Sequence, residues 1–409
     1  MSYRLCVHPG IAPQWERLAA GGPMLTTPGW LRAMAGRLGG RTLTFVVEQD
    51  GEACLAVHAT VQPVPRPGEL FDLHHVLVSE APALPLTDAS RAARAELSGR
   101  AELSGRAASD PSRWTPNLLV MLPGYECLPV GPAATSSAAL AVAVDGILGW
   151  AADAGIATVA FLYTRPDATA LTGALSAAGF VATPLSLTWD LPVPSDGGFD
   201  AYLASLPRKR AAEAGRELAR LTANGVRLRH LHGDAIPPFV PVLARLRGQL
   251  VSKYRGRCDE LAERGRLESL LHDVAGGRAE VVLADAGDAV VGFALFAPFA
   301  DGWQCLALGY DYTDPRSRFA YFGTAFYGAV PLASAQGVRR IGYGQGSARA
   351  KQDRGCVGTP LTAWLHSTDP ELMATARAAA TATVLIPGDG RSPAEASPAE
   401  ASPAGRKPA

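Results

Sequence analysis

The chain has 409 residues, 48% hydrophobic and 19% charged, which allows more than one core and excludes a disordered chain. Its 38 basic and 38 acidic side chains cancel, so no global field draws it to nucleic acid or an anionic membrane, and any polyanion must be met by a local patch. The six cysteines include no CxxC pair, which fits neither a zinc site nor a disulfide framework and predicts a reducing compartment.

At the N-terminus, MSYRLCVHPG lacks a basic-then-apolar signal pattern. No later apolar run approaches the roughly 18 residues of a spanning helix, so the expected location is the cytoplasm, without a membrane span. Thr42–Pro63 reads as two strands turned at Gln49-Asp50-Gly51. The six-residue duplication in Arg94–Arg106 reads as slippage inside a surface loop insertion at about 90–112. A strand over Pro116–Leu122 precedes a helix over Ser136–Gly155, with Ser and Gly at its expected caps. A continuous apolar strand at Ala157–Thr164, a short helix at Ala168–Phe180 and an alternating strand at Leu185–Leu191 complete the first half.

After the break at Pro192–Gly198, the second half repeats this order. It has a helix over Pro207–Gly225, a strand at Val226–Leu231 and a helix near Pro241–Lys253. Three antiparallel strands follow in Ala279–Asp311, then a helix over Ala320–Gly337 and a strand at Val338–Gly344. Hairpins followed by helix and strand mean a mixed, mostly antiparallel sheet flanked by helices, an α/β (α+β) class. The expected division is 1–195, 196–386 and a disordered tail, 387–409, that repeats SPAEA.

The order hairpin, helix, strand, helix, strand resembles the GNAT acyltransferase superfamily, which implies two tandem GNAT-like domains. The second half is also similar to the FemAB-like Fem-type aminoacyl transferases of the peptidoglycan biosynthesis/recognition group. The similarity lies in Phe199–Val226, Leu250–Tyr254, Gly309–Asp314 and Ile341–His366. It implies a bacterial acyl- or aminoacyl-transferase that forms an amide on a small-molecule or cell-wall-precursor amine. Aminoacyl-tRNA is the preferred donor, acyl-CoA the alternative, and a non-catalytic ligand-recognition protein a further reading. No tightly bound cofactor is implied.

Arginine is abundant and lysine rare: only Lys209, Lys253, Lys351 and Lys407 occur, so a lysine carries more information than an arginine. Lys351, in GSARAKQDRG after the late glycine-rich strand, is the candidate catalytic residue. A fixed ammonium there would stabilise an oxyanion or hold a donor phosphate. Arg354 in the same loop is a second candidate anion contact. Arg208, Lys209 and Arg210 open a helix whose first-turn N–H groups favour an anion. Tyr254 is a candidate substrate donor, and Gly323 falls where the superfamily places its pyrophosphate loop. There, AYFGTA keeps Gly323 and Ala325 but lacks the leading Arg or Gln. His74-His75 and His230/His232 have no third ligand at a suitable spacing, so no metal is expected.

Overall fold

In the computed structural model, residues 2–78, 89–93, 95–96, 110–300 and 302–384 are described. The duplicated loop, apart from Ala95 and Glu96, and the repeat-bearing tail lie outside them. The strands are β1 (Tyr3–Pro9), β2 (Arg41–Gln49), β3 (Glu52–Gln62), β4 (Asn117–Val120), β5 (Thr158–Thr164) and β6 (Val181–Pro192). They continue with β7 (Arg227–His232), β8 (Glu280–Asp285), β9 (Val290–Phe299), β10 (Gly302–Tyr310), β11 (Arg340–Gly344) and β12 (Val357–Ser367). The helices that matter below are α1 (Ser137–Asp153), α2 (Thr169–Ala177), α3 (Gly198–Ser205), α4 (Arg208–Ala223), α5 (Val240–Arg255), α6 (Glu260–Ser269), α7 (Ala329–Ala335) and α8 (Ala348–Gln352).

The chain packs as two units: one runs to Leu187 and resumes at Thr359, the other is Thr188–Gly358. Two discrete tandem domains are therefore not resolved, because β6 and β12 each pass from one unit into the other. The mixed sheet with flanking helices that the sequence predicts is present. In the first unit the strand order is β1-β2-β3-β4-β5-β12-β6. There β1–β2, β2–β3, β3–β4 and β5–β12 pair antiparallel and β4–β5 in parallel. Asp50 and Gly51 at the β2–β3 turn both take positive φ, 52° and 89°, as a two-residue hairpin requires. Ser136 caps α1 by accepting from the Ala139 N–H at 3.4 Å. Leu140 and Ile147 of α1 then join Phe45, Leu55 and Phe161 in one buried core.

In the second unit the order is β6-β11-β10-β9-β8-β7, antiparallel except for β10–β11. Val281, Leu283, Phe293, Leu295 and Phe296 are fully buried, so both faces of β8 and β9 are covered. α5 crosses β10 at Gly309. A β-carbon there would lie 2.6 Å from the Arg247 backbone nitrogen, so only glycine admits the helix this closely. The helix expected over Ala320–Gly337 is interrupted. Phe319 enters it with φ of 69°, and Gly323–Tyr327 forms a π turn closed by the Gly328 N–H on the Gly323 carbonyl at 2.8 Å. β1, α3, α6, α8, β12 and the helix Pro370–Ala382 are among the elements with no counterpart in the sequence reading.

Among the described residues, no helix is long and apolar enough to cross a membrane.

Candidate functional site

The second unit contains a place where two neighbouring strands part. β10 and β11 pair in parallel only from Gly302↔Arg340 to Gln304↔Gly342. At Gly342 the Gln304 side chain fills the space beside the backbone, with its Oε1 2.3 Å from where a β-carbon would stand. Beyond Gln304, β10 is irregular between Cys305 and Ala307 and runs on to Tyr310 without a β11 partner. Gln304, Cys305, Leu306 and Leu308 are all partly accessible there, although β10 is an interior strand.

The loop leaving β11 turns sharply, with Gly344, Gly346 and Ser347 in the left-handed region at φ of 61°, 77° and 50°. Lys351, in α8, holds this turn from behind. It is 4% exposed, and its ammonium donates to the carbonyls of Tyr343, Gly344 and Gln345 at 2.9, 3.0 and 2.8 Å. Three donors thus meet three consecutive acceptors. In a planar trans peptide the N–H points opposite to its C=O. The N–H groups of Gly344, Gln345 and Gly346 therefore face away from the lysine. Three peptide dipoles with a cation behind them make the outer face of the loop electropositive.

Cys305 and Cys356 stand near this lysine. Burial pushes both thiols up to about 12, and the smaller opposing pull of the Lys351 charge does not reverse that. They are neutral thiols at ordinary pH, unsuited to act as thiolate nucleophiles.

Arg354 faces inward. Its side chain is 5% exposed, its Nη2 donates to Glu217 at 2.6 Å, its Nε donates to the Tyr327 hydroxyl at 2.8 Å, and its guanidinium lies 3.9 Å from the Phe322 ring centre. Tyr327 in turn donates to Glu217, and the Tyr202 hydroxyl donates to the Arg354 carbonyl at 3.0 Å. These partners neutralise the guanidinium and leave Arg354 as a packing and pairing residue. Neither Glu217 nor Tyr327 stood out in the sequence, because a glutamate on an amphipathic helix usually faces water.

The first turn of α4 lies against the same loop. Arg210 donates to Glu213 at 2.7 Å and pairs with Asp353 at 2.7 Å, while Arg208 and Lys209 remain exposed. Burial raises the Asp353 carboxyl against the pull of Arg210 and Arg349. Lys351, Arg354 and the α4 cations are thus brought to one neighbourhood.

Gly323 and Tyr254 sit elsewhere. Gly323 is buried in the π turn, where a β-carbon would meet Leu221 at 2.6 Å, so its place is set by helix packing. In the preceding loop, the N–H groups of Thr313 and Asp314 donate to the Asp311 carboxylate at 3.0 and 3.3 Å. The Arg316 N–H donates to Asp314 at 2.8 Å. The chain's own carboxylates therefore occupy these amides, where a phosphate cradle would need them free. Tyr254 is 63% exposed at the end of α5, with the Lys253 ammonium 5.8 Å from its ring centre.

His230 and His232 both hydrogen-bond Glu280, which is 1% exposed. Among the described residues, no group of three His, Cys, Asp or Glu side chains is arranged to hold a metal ion.

No protein-family model and no curated protein matches the chain. Among solved structures, FemX is similar at 13% identity, over 91% of this chain and 99% of FemX, with a TM-score of 0.55. Two further matches score lower. A tandem GNAT protein from the clavulanic acid biosynthesis pathway is 10% identical over 90% of this chain and 99% of its own, with a TM-score of 0.43. L-PGS from Bacillus licheniformis is 14% identical over 67% and 83%, with a TM-score of 0.42. The FemX likeness shows a shared fold, a mixed sheet with flanking helices.

Proposed function

We propose that the chain transfers an acyl group to an amine at the parting of β10 and β11, with an acyl thioester such as acyl-CoA as donor ahead of aminoacyl-tRNA. The observation that carries this reading is the Lys351 ammonium behind the carbonyls of Tyr343, Gly344 and Gln345. An amine attacking a thioester carbonyl forms the C–N bond and places negative charge on the carbonyl oxygen. When the C–S bond breaks, the thiolate leaves, and the proton lost by the nitrogen goes to that thiolate or to water. The charged oxygen is what the outer face of the loop suits, since its dipoles are oriented before the reaction begins. Lys351 acts through the loop, as a positioning residue. Alignment of the bound amine and thioester supplies much of the remaining acceleration.

The formal net charge of zero favours a compact donor over tRNA, since no global positive field gathers a long phosphate backbone. Arg208 and Lys209, exposed at the start of α4, are assigned to the donor's phosphates.

The test is a donor screen. The chain is incubated with acetyl-CoA and longer acyl-CoAs plus a mixed amine pool, following free thiol, and in parallel with radiolabelled aminoacyl-tRNAs, following deacylation. Amine-dependent thiol release is expected. Deacylation of tRNA alone would move the donor assignment, and consumption of neither would overturn the transferase reading.

A further inference from the structure

Beside the strand parting lies a second group of polar side chains. Tyr310, the last residue of β10, is 5% exposed, and its hydroxyl has no hydrogen-bond partner among the described residues. The buried hydroxyl of Tyr312 and the buried Nε of Arg247 also lack one. Arg247 and the two tyrosines flank the close crossing at Gly309. There, α5 comes near enough for Arg247 Nη1 to donate to the Leu308 carbonyl at 3.3 Å, and the rings of Tyr310 and Tyr312 stand 6.4 Å apart at 88°. A buried hydroxyl or guanidinium N–H without an acceptor destabilises the fold, so a cluster of them needs an explanation.

The local charge indicates what the cluster lacks. Arg247 and Arg266 share one carboxylate, Glu263, which lies 2.9 Å from Arg266 and 3.9 Å from Arg247. Arg245, one turn away on α5, is already paired with Asp311 at 3.0 Å. One positive charge is therefore left over at Arg247. Burial and the Arg266 charge lower the Arg247 guanidinium against the opposing pull of Glu263. Lys253, exposed at the rim, holds its ammonium 4.2 Å from the Tyr312 ring centre. One guanidinium N–H and two phenol hydroxyls, with a single surplus charge, suit a planar monoanion better than a phosphate dianion. Arg247 donates to the carbonyl of Leu308, on the stretch of β10 that has no β11 partner, so the cluster adjoins the strand parting.

We propose that Arg247, Tyr310 and Tyr312 bind the carboxylate of the amine acceptor, which makes the acceptor an amino acid or a short peptide-like molecule with a free carboxylate. Naming the ligand as acceptor rests on the acyl-transfer reading. The carboxylate site itself rests on the cluster alone.

The test measures binding without turnover. Thermal midpoints of the full chain are recorded with each of the twenty L-amino acids, with its α-carboxamide, and with inorganic phosphate. The expected result is that at least one acid raises the midpoint and its amide does not. Tyr310→Phe and Tyr312→Phe should each weaken that acid's Kd by about tenfold. Without ligand, both variants should melt at or above the wild-type midpoint, since each loses a hydroxyl that has no partner. The assignment is overturned if no acid raises the midpoint, if acid and amide or phosphate act alike, or if the two variants bind as the wild type does. A chain that binds acids but consumes no donor keeps this site and loses the transferase reading. One that acylates amines with and without a carboxylate at equal kcat/KM keeps the transferase reading and loses this site.

Discussion

Arg354 and Glu217 face each other at 2.6 Å with side-chain exposures of 5% and 16%, a nearly buried ion pair completed by the Tyr327 hydroxyl. Removing one member leaves a charge with no partner in an apolar setting beside Phe322. Glu217→Ala should therefore cost about 3–5 kcal/mol. The double change Glu217→Leu with Arg354→Met should cost less than the single one, because no charge is left behind. Urea unfolding of Glu217→Ala and of the double variant measures this, and a double variant no more stable than Glu217→Ala would refute the pairing.

His58, on β3, is 5% exposed, and its Nδ1–H donates to the Met121 carbonyl at 2.7 Å. Burial lowers its pKa from 6.5 to about 4, against the opposing effect of that carbonyl. The folded ring stays neutral where the unfolded one protonates. Its contribution is thus full above pH 6.5, is lost as pH falls towards 4, and does not change further below that. That window is worth about 3 kcal/mol. Unfolding free energies at pH 7 and pH 4.5 should differ by correspondingly less in His58→Gln. Parallel pH dependence in variant and wild type would contradict the assignment.

Two glycines of the second unit should respond oppositely to alanine. Gly323→Ala puts a β-carbon 2.6 Å from Leu221 and 3.3 Å from Leu228, an overpacking cost of about 1–3 kcal/mol. Gly215, inside α4, has nothing within 4 Å, and Gly215→Ala should stabilise by up to about 1 kcal/mol. Denaturant midpoints decide between them, and a neutral Gly323→Ala would remove the packing role assigned to that residue.

The fold was legible where local chemistry determines it. Asp50-Gly51 marked the β2–β3 turn because few other residues accept two positive φ values, and Ser136 marked α1 because its hydroxyl caps a helix. β1 carries only a short apolar stretch at the sheet edge. α6 reads as polar, with Leu267 its buried residue, so neither shows a strong period. The break at Gly323–Tyr327 follows from tertiary packing against Leu221 and Leu228, which no window of sequence contains.

At the site, the scarcity of lysine drew attention to Lys351, but its partners are backbone carbonyls, and their direction depends on three left-handed residues acting together. Arg247 was invisible for the opposite reason, since one arginine among many has no distinguishing signal until Tyr310 and Tyr312 are seen beside it.

The most direct measurement is kcat for the wild type and Lys351→Met with the donor and amine found in the screen, at a temperature where both are folded by circular dichroism. Three carbonyls, that of Tyr343 buried and those of Gly344 and Gln345 partly so, lose their donor in the variant, so its midpoint should fall, and the comparison is made below it. If the ammonium polarises the loop that meets the oxyanion, kcat should drop by about a hundredfold or more while donor binding at Arg208 and Lys209 persists. A folded Lys351→Met chain that turns over at the wild-type rate would contradict the site.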